Sequence, residues 1–107
     1  MAKVIWTDRA LIDLDEIADY IAIDRQGAAE RLVQRIFERV EGLAEFPESG
    51  RVPPELEGSH FREVIVDPCR VFYRFKGKSI YILYIMRGER ELRRYILDDR
   101  EDFLHHD

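Results

Sequence analysis

Five arginines in the second half of the chain are the side chains best suited to chemistry. They are Arg62, Arg70, Arg74, Arg87 and Arg90. A guanidinium stays charged at any ordinary pH and binds phosphate or carboxylate oxygens through paired hydrogen bonds. It can stabilise negative charge that develops on a phosphate, but it is a poor proton carrier. These arginines therefore predict contact with a phosphate-rich or acidic partner surface.

Phosphoryl transfer at such a site would also need a proton carrier. The candidates in the same stretch are Tyr73, Tyr81, Tyr84, Tyr95, Glu63, Glu89 and Glu91. Tyr95 is the most suggestive of them because it follows Arg87, Arg90, Arg93 and Arg94, whose charges would favour its phenolate. The alternative interpretation of Tyr95 is a packing aromatic side chain near the C-terminus.

Other familiar catalytic arrangements are missing from the sequence. It contains no glycine-rich phosphate loop, no nucleophile elbow and no set of Cys and His residues at zinc-ligand spacing. We therefore expect neither a metal nor a cofactor. The single cysteine, Cys69, is expected to be a strand residue, and the lone His60 a surface residue.

The charges are unevenly distributed along the chain, although its net charge is −5. Residues 1–49 carry 11 acidic and 6 basic side chains, whereas residues 60–97 carry nine basic and four acidic ones. The stretch 98–107 holds five acids and one arginine. Such segregation favours a cationic working surface on an otherwise acidic body, with ordinary surface charge as the alternative.

The length of 107 residues predicts a single domain, 1–107, whose functional site is a shallow surface or groove. The longest apolar run, Ile80 to Met86, is as long as a strand and much too short for a membrane span. No secretory signal is visible in residues 1–8. The expected location is therefore cytoplasmic, with no membrane contact.

The first half of the chain predicts a short strand followed by two helices. Residues 3–7 are rich in strand-forming side chains. An amphipathic helix then ends near Asp24, and a second helical pattern of apolar residues runs from Ala29 to Ala44. Prolines and glycines in residues 47–54 exclude continued helix. The two helices should form a hairpin.

Beyond this loop the apolar pattern changes from helical to alternating, which indicates strands. Three strands are predicted, at residues 61–66, 69–76 and 79–86, joined by short hairpin turns. The segment 87–97 suits either a helix or a short strand. The acidic tail, 98–107, is expected to be mobile.

This order of elements predicts an α+β fold: an N-terminal strand, a two-helix hairpin packed on an antiparallel sheet of three further strands, and a short C-terminal segment. Alternation along the strand 69–76 divides its side chains between the two faces of the sheet. One set is Cys69, Val71, Tyr73 and Phe75, and the other is Arg70, Phe72, Arg74 and Lys76. The hairpin should cover the first set and leave the other face free for polar chemistry.

The order of elements and a series of short motifs resemble the RelE/ParE toxin superfamily. The similarity runs from about Val4 to Leu92, and its strength lies in the ordered set rather than in any one motif. The motifs are Trp6 before the first helix, Ala10–Ile17, Tyr20-Ile21, Phe46–Arg51, Pro54–Leu56, Phe61–Glu63, Arg70–Arg74, Ile82-Leu83 and Arg87–Leu92.

The resemblance implies a toxin of a bacterial type II toxin-antitoxin pair, neutralised in a hetero-oligomer by a cognate antitoxin whose C-terminal segment wraps the toxin. ParE-like members poison DNA gyrase, whereas RelE-like members cleave messenger RNA in the ribosomal decoding site. The loop Pro47–Arg51 and the following Pro54–Leu56 look more like ParE, so gyrase is the favoured target. A ribosome-dependent endoribonuclease is the first alternative, and a non-catalytic interaction module or degenerate toxin is the second.

The two activities imply different site residues. For the ribonuclease, the catalytic candidates are Arg62, Arg70, Arg90 and Tyr95, where Arg62 lies at the place of a strand lysine and Tyr95 one residue from the expected catalytic tyrosine. For the gyrase inhibitor, which would not be an enzyme, the target-binding candidates are Arg70, Arg74, Arg87 and Arg90. The antitoxin-binding residues stay unassigned, but exposed apolar positions on the helical hairpin and an open strand edge are expected to provide the contact.

Overall fold

The computed structural model describes residues 1–105, and a four-stranded sheet in the order β1-β4-β3-β2 forms its centre. The strands are β1 (Lys3–Trp6), β2 (Phe61–Val66), β3 (Cys69–Lys76) and β4 (Ser79–Arg87), and the helices are α1 (Asp8–Ala22), α2 (Gln26–Glu41) and α3 (Arg94–Asp102). Short 3₁₀ turns cover Gly42–Ala44, Pro54–Leu56 and Phe103–His105. The predicted α+β plan is confirmed. No helix in the described part is long and apolar enough to cross a membrane.

The sheet is mixed rather than purely antiparallel. β2, β3 and β4 form the predicted antiparallel meander, and the turn between β2 and β3 contains a cis Asp67–Pro68 peptide bond. β1 joins the other edge of β4 in parallel, and it pairs only with Ser79–Ile82. β4 therefore extends five residues beyond the strand that flanks it, since it continues to Arg87.

The helical hairpin covers one face of the sheet, which we call the hairpin face. The Thr7 hydroxyl accepts a hydrogen bond from the Ala10 amide at 3.3 Å and so caps the first turn of α1. α2 buries residues at helical spacing, namely Ala29, Leu32, Ile36 and Val40. Of these, Leu32, Ile36 and Val40 pack with residues of the sheet in the larger apolar core, namely Val64, Val66, Cys69, Val71, Tyr73, Ile80, Ile82 and Ile85.

The opposite face, which we call the second face, is not free, and the prediction that it would be open for polar chemistry is wrong. A second apolar cluster lies there, formed by Leu56, Phe61, Phe72, Leu83, Met86 and Leu97. An irregularity in β4 contributes to this cluster, because Phe72 pairs with Tyr84 while Tyr73 pairs with Ile82, which leaves Leu83 as an extra residue. Such a bulge turns adjacent side chains toward one face, so both Leu83 and Tyr84 join the second cluster.

Helix α3 closes the second face and accounts for much of the segment predicted as a mobile acidic tail. Within 98–105 the chain completes α3 and forms a 3₁₀ turn, while residues 106 and 107 lie outside the described part. Leu97 of α3 is fully buried, and Arg100 and Glu101 form ion pairs with the body of the fold. The ambiguous segment 87–97 is therefore the end of β4, an irregular connection and the first half of α3.

Replacing Leu97 by alanine should destabilise the whole domain, because Leu97 belongs to the second apolar cluster. We expect the free energy of unfolding, measured by denaturant titration, to fall by about 3 kcal/mol. Tyr95→Ala is the control in the same helix: its side chain is 61% exposed, so the change should be about 0.5 kcal/mol or less. Equal effects from the two substitutions would contradict the packing of α3.

Candidate functional site

Arg70 lies on the second face between two carboxylates. Its Nη1 and Nη2 donate to the two oxygens of Glu55 at 2.7 and 2.8 Å. Its Nε and Nη2 donate to the two oxygens of Glu63 at 2.6 and 3.1 Å. The Glu63 side chain is fully buried, and it also accepts from Arg51 Nε at 3.0 Å. Four of the five N–H groups of the Arg70 guanidinium are therefore used within the protein.

The electrostatics of Arg70 follow from these contacts. Hydrogen bonds from Arg70 lower the pKa of Glu55 to about 2, against a smaller opposing effect of burial. The bonds to Glu55 and Glu63 raise the pKa of Arg70 further above its already high ordinary value. The cation is thus permanently charged, but two neighbouring anions neutralise it.

Arg62 holds the loop that precedes β2. Its Nη1 donates to the carbonyl oxygen of Gly50 at 2.7 Å and to that of Glu48 at 3.2 Å.

The buried Tyr73 hydroxyl donates to the Pro47 carbonyl at 2.7 Å and accepts from the Gly50 amide at 3.0 Å. Burial raises the pKa of Tyr73, so the phenol stays protonated and can donate. A side chain at Gly50 would place its Cβ only 2.5 Å from the Tyr73 hydroxyl, so this position requires glycine.

Arg74 is covered by α3. Its Nη1 bonds to the Glu101 carboxylate and lies 3.2 Å from His60 Nε2, which is itself 2.9 Å from the same carboxylate. The Nε atom of Arg74 is buried without a hydrogen-bond partner among residues 1–105. The lone His60 is therefore part of a charged cluster that fastens α3 to β3.

A second ion pair fastens α3, and sequence reasoning missed both of its members. Arg100 binds the two oxygens of Asp13 through Nη1 and Nη2, donates to the Leu83 carbonyl at 2.9 Å and lies 4.6 Å above the Tyr84 ring. Asp13 also accepts from the Ile85 amide at 3.1 Å. The sequence does contain one indication that Asp13 is partly buried. Asp13 lies at helical spacing from Ala10 and Ile17, on the buried side of α1.

Arg87 and Arg90 lie beside a groove of about 300 Å³ between α1 and the end of β4. The Arg87 guanidinium lies 4.3 Å above the Tyr20 ring and 3.2 Å from a Glu89 oxygen. Arg90 is exposed, and its side chain forms no hydrogen bond or ion pair with any residue in 1–105. Burial raises the pKa of Tyr84 in the groove wall, so this phenol is neutral at ordinary pH.

Tyr95 lies in the first turn of α3, on the rim of a different depression. This depression, of about 770 Å³, is shared with the start of α1 and includes Thr7, Asp8 and Arg9. No hydrogen bond, ion pair or ring contact among the described residues joins any two of the four ribonuclease candidates, Arg62, Arg70, Arg90 and Tyr95. Arg62 and Arg70 therefore lie in separate local environments, whereas Arg90 and Tyr95 both act electrostatically on Tyr84.

Within residues 1–105, no group of three or more His, Cys, Asp or Glu side chains could hold a metal ion. Cys69 is buried in the hairpin-face core, and burial raises the pKa of its thiol to about 11. A thiol that stays protonated is a poor nucleophile. Cys69 is therefore a packing residue, and it lies in a strand, β3, as predicted.

Removing Arg70 should destabilise the fold, because it would leave the buried Glu63 with only Arg51 as a counter-charge. We expect Arg70→Ala to lower the free energy of unfolding by about 3 kcal/mol. Arg90→Ala removes the same type of side chain from an unpaired position and should change stability by about 0.5 kcal/mol or less. Thermal or denaturant unfolding of the two variants makes the comparison, and equal stabilities would contradict a structural role for Arg70.

The Glu55 carboxylate should make stability depend on acid pH. Its pKa falls from 4.5 to about 2 on folding, so its contribution is complete above the unfolded value and is lost as the pH drops through the folded value. We expect the free energy of unfolding to decrease on acidification from about pH 5 to about pH 2. Glu55→Gln should weaken that dependence, and an unchanged pH profile in this variant would argue against the Glu55–Arg70 bond.

Known proteins resemble this chain over most of its length. Residues 4–92 match the family model described as ParE toxin of type II toxin-antitoxin system, parDE. The chain is 38% identical over 91 residues to Toxin RelE2 of Caulobacter vibrioides, across 84% of this chain and 99% of that protein. It is also 38% identical over 91 residues to Putative toxin Y4kP of Sinorhizobium fredii, across 83% of this chain and 91% of the relative.

A solved structure of the chromosomal ParDE TA system from P. aeruginosa has the same fold. It superposes with a TM-score of 0.69 at 35% identity, over 83% of this chain and 98% of that one. The family match includes the sheet and the helical hairpin, whereas α3 begins beyond its last residue, Leu92. From β1 to the connection that follows β4, the chain belongs to the ParE family of toxins from type II toxin-antitoxin systems.

Proposed function

We propose that this toxin arrests growth by binding and poisoning DNA gyrase. The main support is that the arginines of the second face already form ion pairs inside the protein. Arg70 is bound by Glu55 and Glu63, and Arg74 by Glu101. A metal-independent ribonuclease needs free cations and a proton carrier around one phosphate. A protein inhibitor needs only a complementary surface with a few dominant contacts. The match to the ParE family model supports the same choice.

The target contacts that we propose are the arginines at the end of β4. Arg87 is half-buried against Tyr20, and Arg90 is exposed, with no hydrogen-bond or ion-pair partner for its side chain in the described part of the chain. An arginine without an internal partner can form a new ion pair without first breaking an old one, so Arg90 is the stronger candidate. Arg70 and Arg74, predicted as target-binding residues, would first have to leave their carboxylates.

A cognate antitoxin neutralises the toxin in this proposal, and the outer side of the helical hairpin offers it a surface. Small apolar side chains line a groove of about 400 Å³ between α1 and α2, among them Ala18, Ala22 and Val33. Phe37, which is exposed, contacts Trp6 of β1 at a ring distance of 4.7 Å. β1 is an edge strand, so an added peptide could continue the sheet from there. The ParDE structure from P. aeruginosa supports a toxin-antitoxin assembly.

Ribosome-dependent cleavage of messenger RNA is the second candidate. It is favoured by the name of one relative, Toxin RelE2, and by the exposed charge of Arg90. A non-catalytic interaction module or a degenerate toxin would arrest neither gyrase nor the ribosome. Because gyrase and the ribosome both work in the cytoplasm, we place the action of the toxin there.

Gyrase poisoning can be measured directly. Purified antitoxin-free toxin, incubated with gyrase, ATP and supercoiled plasmid, should yield linear DNA after denaturation of the enzyme. Arg90→Glu should require about tenfold more toxin for the same yield, since it loses a central contact. Lys78→Glu, which makes the same charge change in the exposed turn before β4, should behave like the wild type.

Each result of this assay has a distinct meaning. Toxin-dependent linear DNA would support gyrase as the target. A preparation that arrests growth but leaves gyrase untouched would overturn the proposal. Cleavage of ribosome-bound messenger RNA by that preparation, lost in Arg90→Ala, would then favour the ribonuclease.

A further inference from the structure

The outer side of α3 exposes two large aromatic side chains. Tyr95 in its first turn is 61% exposed, and Phe103, which follows its last turn, is 78% exposed. α3 begins beyond Leu92, where the family match ends, so it adds a surface to the matched fold. Exposed apolar side chains that lie together mark a contact with another molecule more often than scattered ones do.

The two rings border the depression of about 770 Å³ between α3 and the start of α1. Ile96 and Leu104, both half-buried, form apolar parts of its wall. Leu104 also packs against the second apolar cluster, so the core holds this wall in place. One surface therefore carries both a projecting ring, that of Phe103, and an apolar hollow.

Charged side chains of both signs border the same depression. Asp8 and Arg9 lie in the first turn of α1, Asp99 lies in α3, and all three are exposed. In the described part of the chain none of these three side chains forms an ion pair or a hydrogen bond, whereas Arg100, the other charged residue of the wall, is bound to Asp13. The depression therefore presents unpaired charge of both signs.

A second copy of the same surface complements each of these features. In a two-fold symmetric dimer, a contact between one residue and another is repeated with the two copies exchanged. Arg9 can therefore face the partner's Asp99 while Asp99 faces the partner's Arg9, and each Phe103 ring can enter the opposite hollow. A partner with one sign of charge would attract either Arg9 or Asp99 and repel the other.

We propose that the toxin forms a symmetric dimer through α3 and the start of α1, with reciprocal Arg9–Asp99 pairs around an apolar centre. This surface shares no lining residue with the groove between α1 and α2 or with the groove beside Arg87 and Arg90. The dimer is therefore independent of the proposed antitoxin and target contacts. One dimer would present two sets of those contacts.

Sedimentation velocity of the purified full-length toxin tests the dimer, which should replace the monomer as the concentration rises. Phe103→Asp should raise the Kd of the dimer at least about tenfold, since it places a charge in the apolar centre. Phe46→Asp is the matched control, because Phe46 is 63% exposed and lies outside this surface, and it should leave the Kd unchanged. Circular dichroism of both variants verifies that they fold. A wild type that stays monomeric up to about 100 μM, or an unchanged Kd for Phe103→Asp, would overturn the proposal.

The reciprocal charge pairs allow a second test. Arg9→Asp and Asp99→Arg should each raise the Kd at least about tenfold, since each variant sets like charges against one another across the two-fold axis. An equimolar mixture of the two variants should dimerise again, because every arginine at these positions then faces an aspartate of the other copy. Mixing cannot restore a contact made within one chain. Single variants that dimerise as the wild type does, or a mixture that stays monomeric, would overturn the proposed pairing.

Discussion

The buried carboxylate of Glu63 is the constraint on which the second face depends. A charge that is removed from water must be matched by an opposite charge and by hydrogen bonds. Arg70 and Arg51 supply both, from β3 and from the loop before β2. Arg70 also binds Glu55, next to Leu56 of the second apolar cluster. One buried anion therefore ties together a strand, a loop and a 3₁₀ turn.

Helix α3 completes this face with the same type of interaction. Arg100 and Glu101 are adjacent in sequence and bind opposite charges on α1 and β3, while Leu97 fills the apolar centre. Most of the arginines that were predicted from the sequence to contact a partner form ion pairs or hydrogen bonds within the protein instead. The exception lies at the end of β4, where Arg90 has no ion-pair partner among residues 1–105 and β4 extends beyond β1.

The strands and the hairpin could be predicted because their signals are local. Alternating apolar residues gave β2 and β3 with correct bounds, and β4 to within one residue. The closure of the second face could not be predicted, since it depends on contacts between distant residues such as Asp13 and Arg100. α3 itself contains few apolar residues and many acids, which resembles a solvated tail unless its ion pairs are known. The hydrogen bonds that Arg62 and Arg70 form to a loop and to a buried carboxylate could not be predicted for the same reason.

The single cysteine of the chain has a practical consequence. Cys69 has no exposed surface, and its thiol is protonated at neutral pH because its pKa is about 11. Thiol-directed dyes and spin labels should therefore leave the folded protein unmodified and react only after the β-sheet opens. The rate of Cys69 modification becomes a measure of global opening, and a cysteine introduced at an exposed position becomes a unique attachment point for a probe.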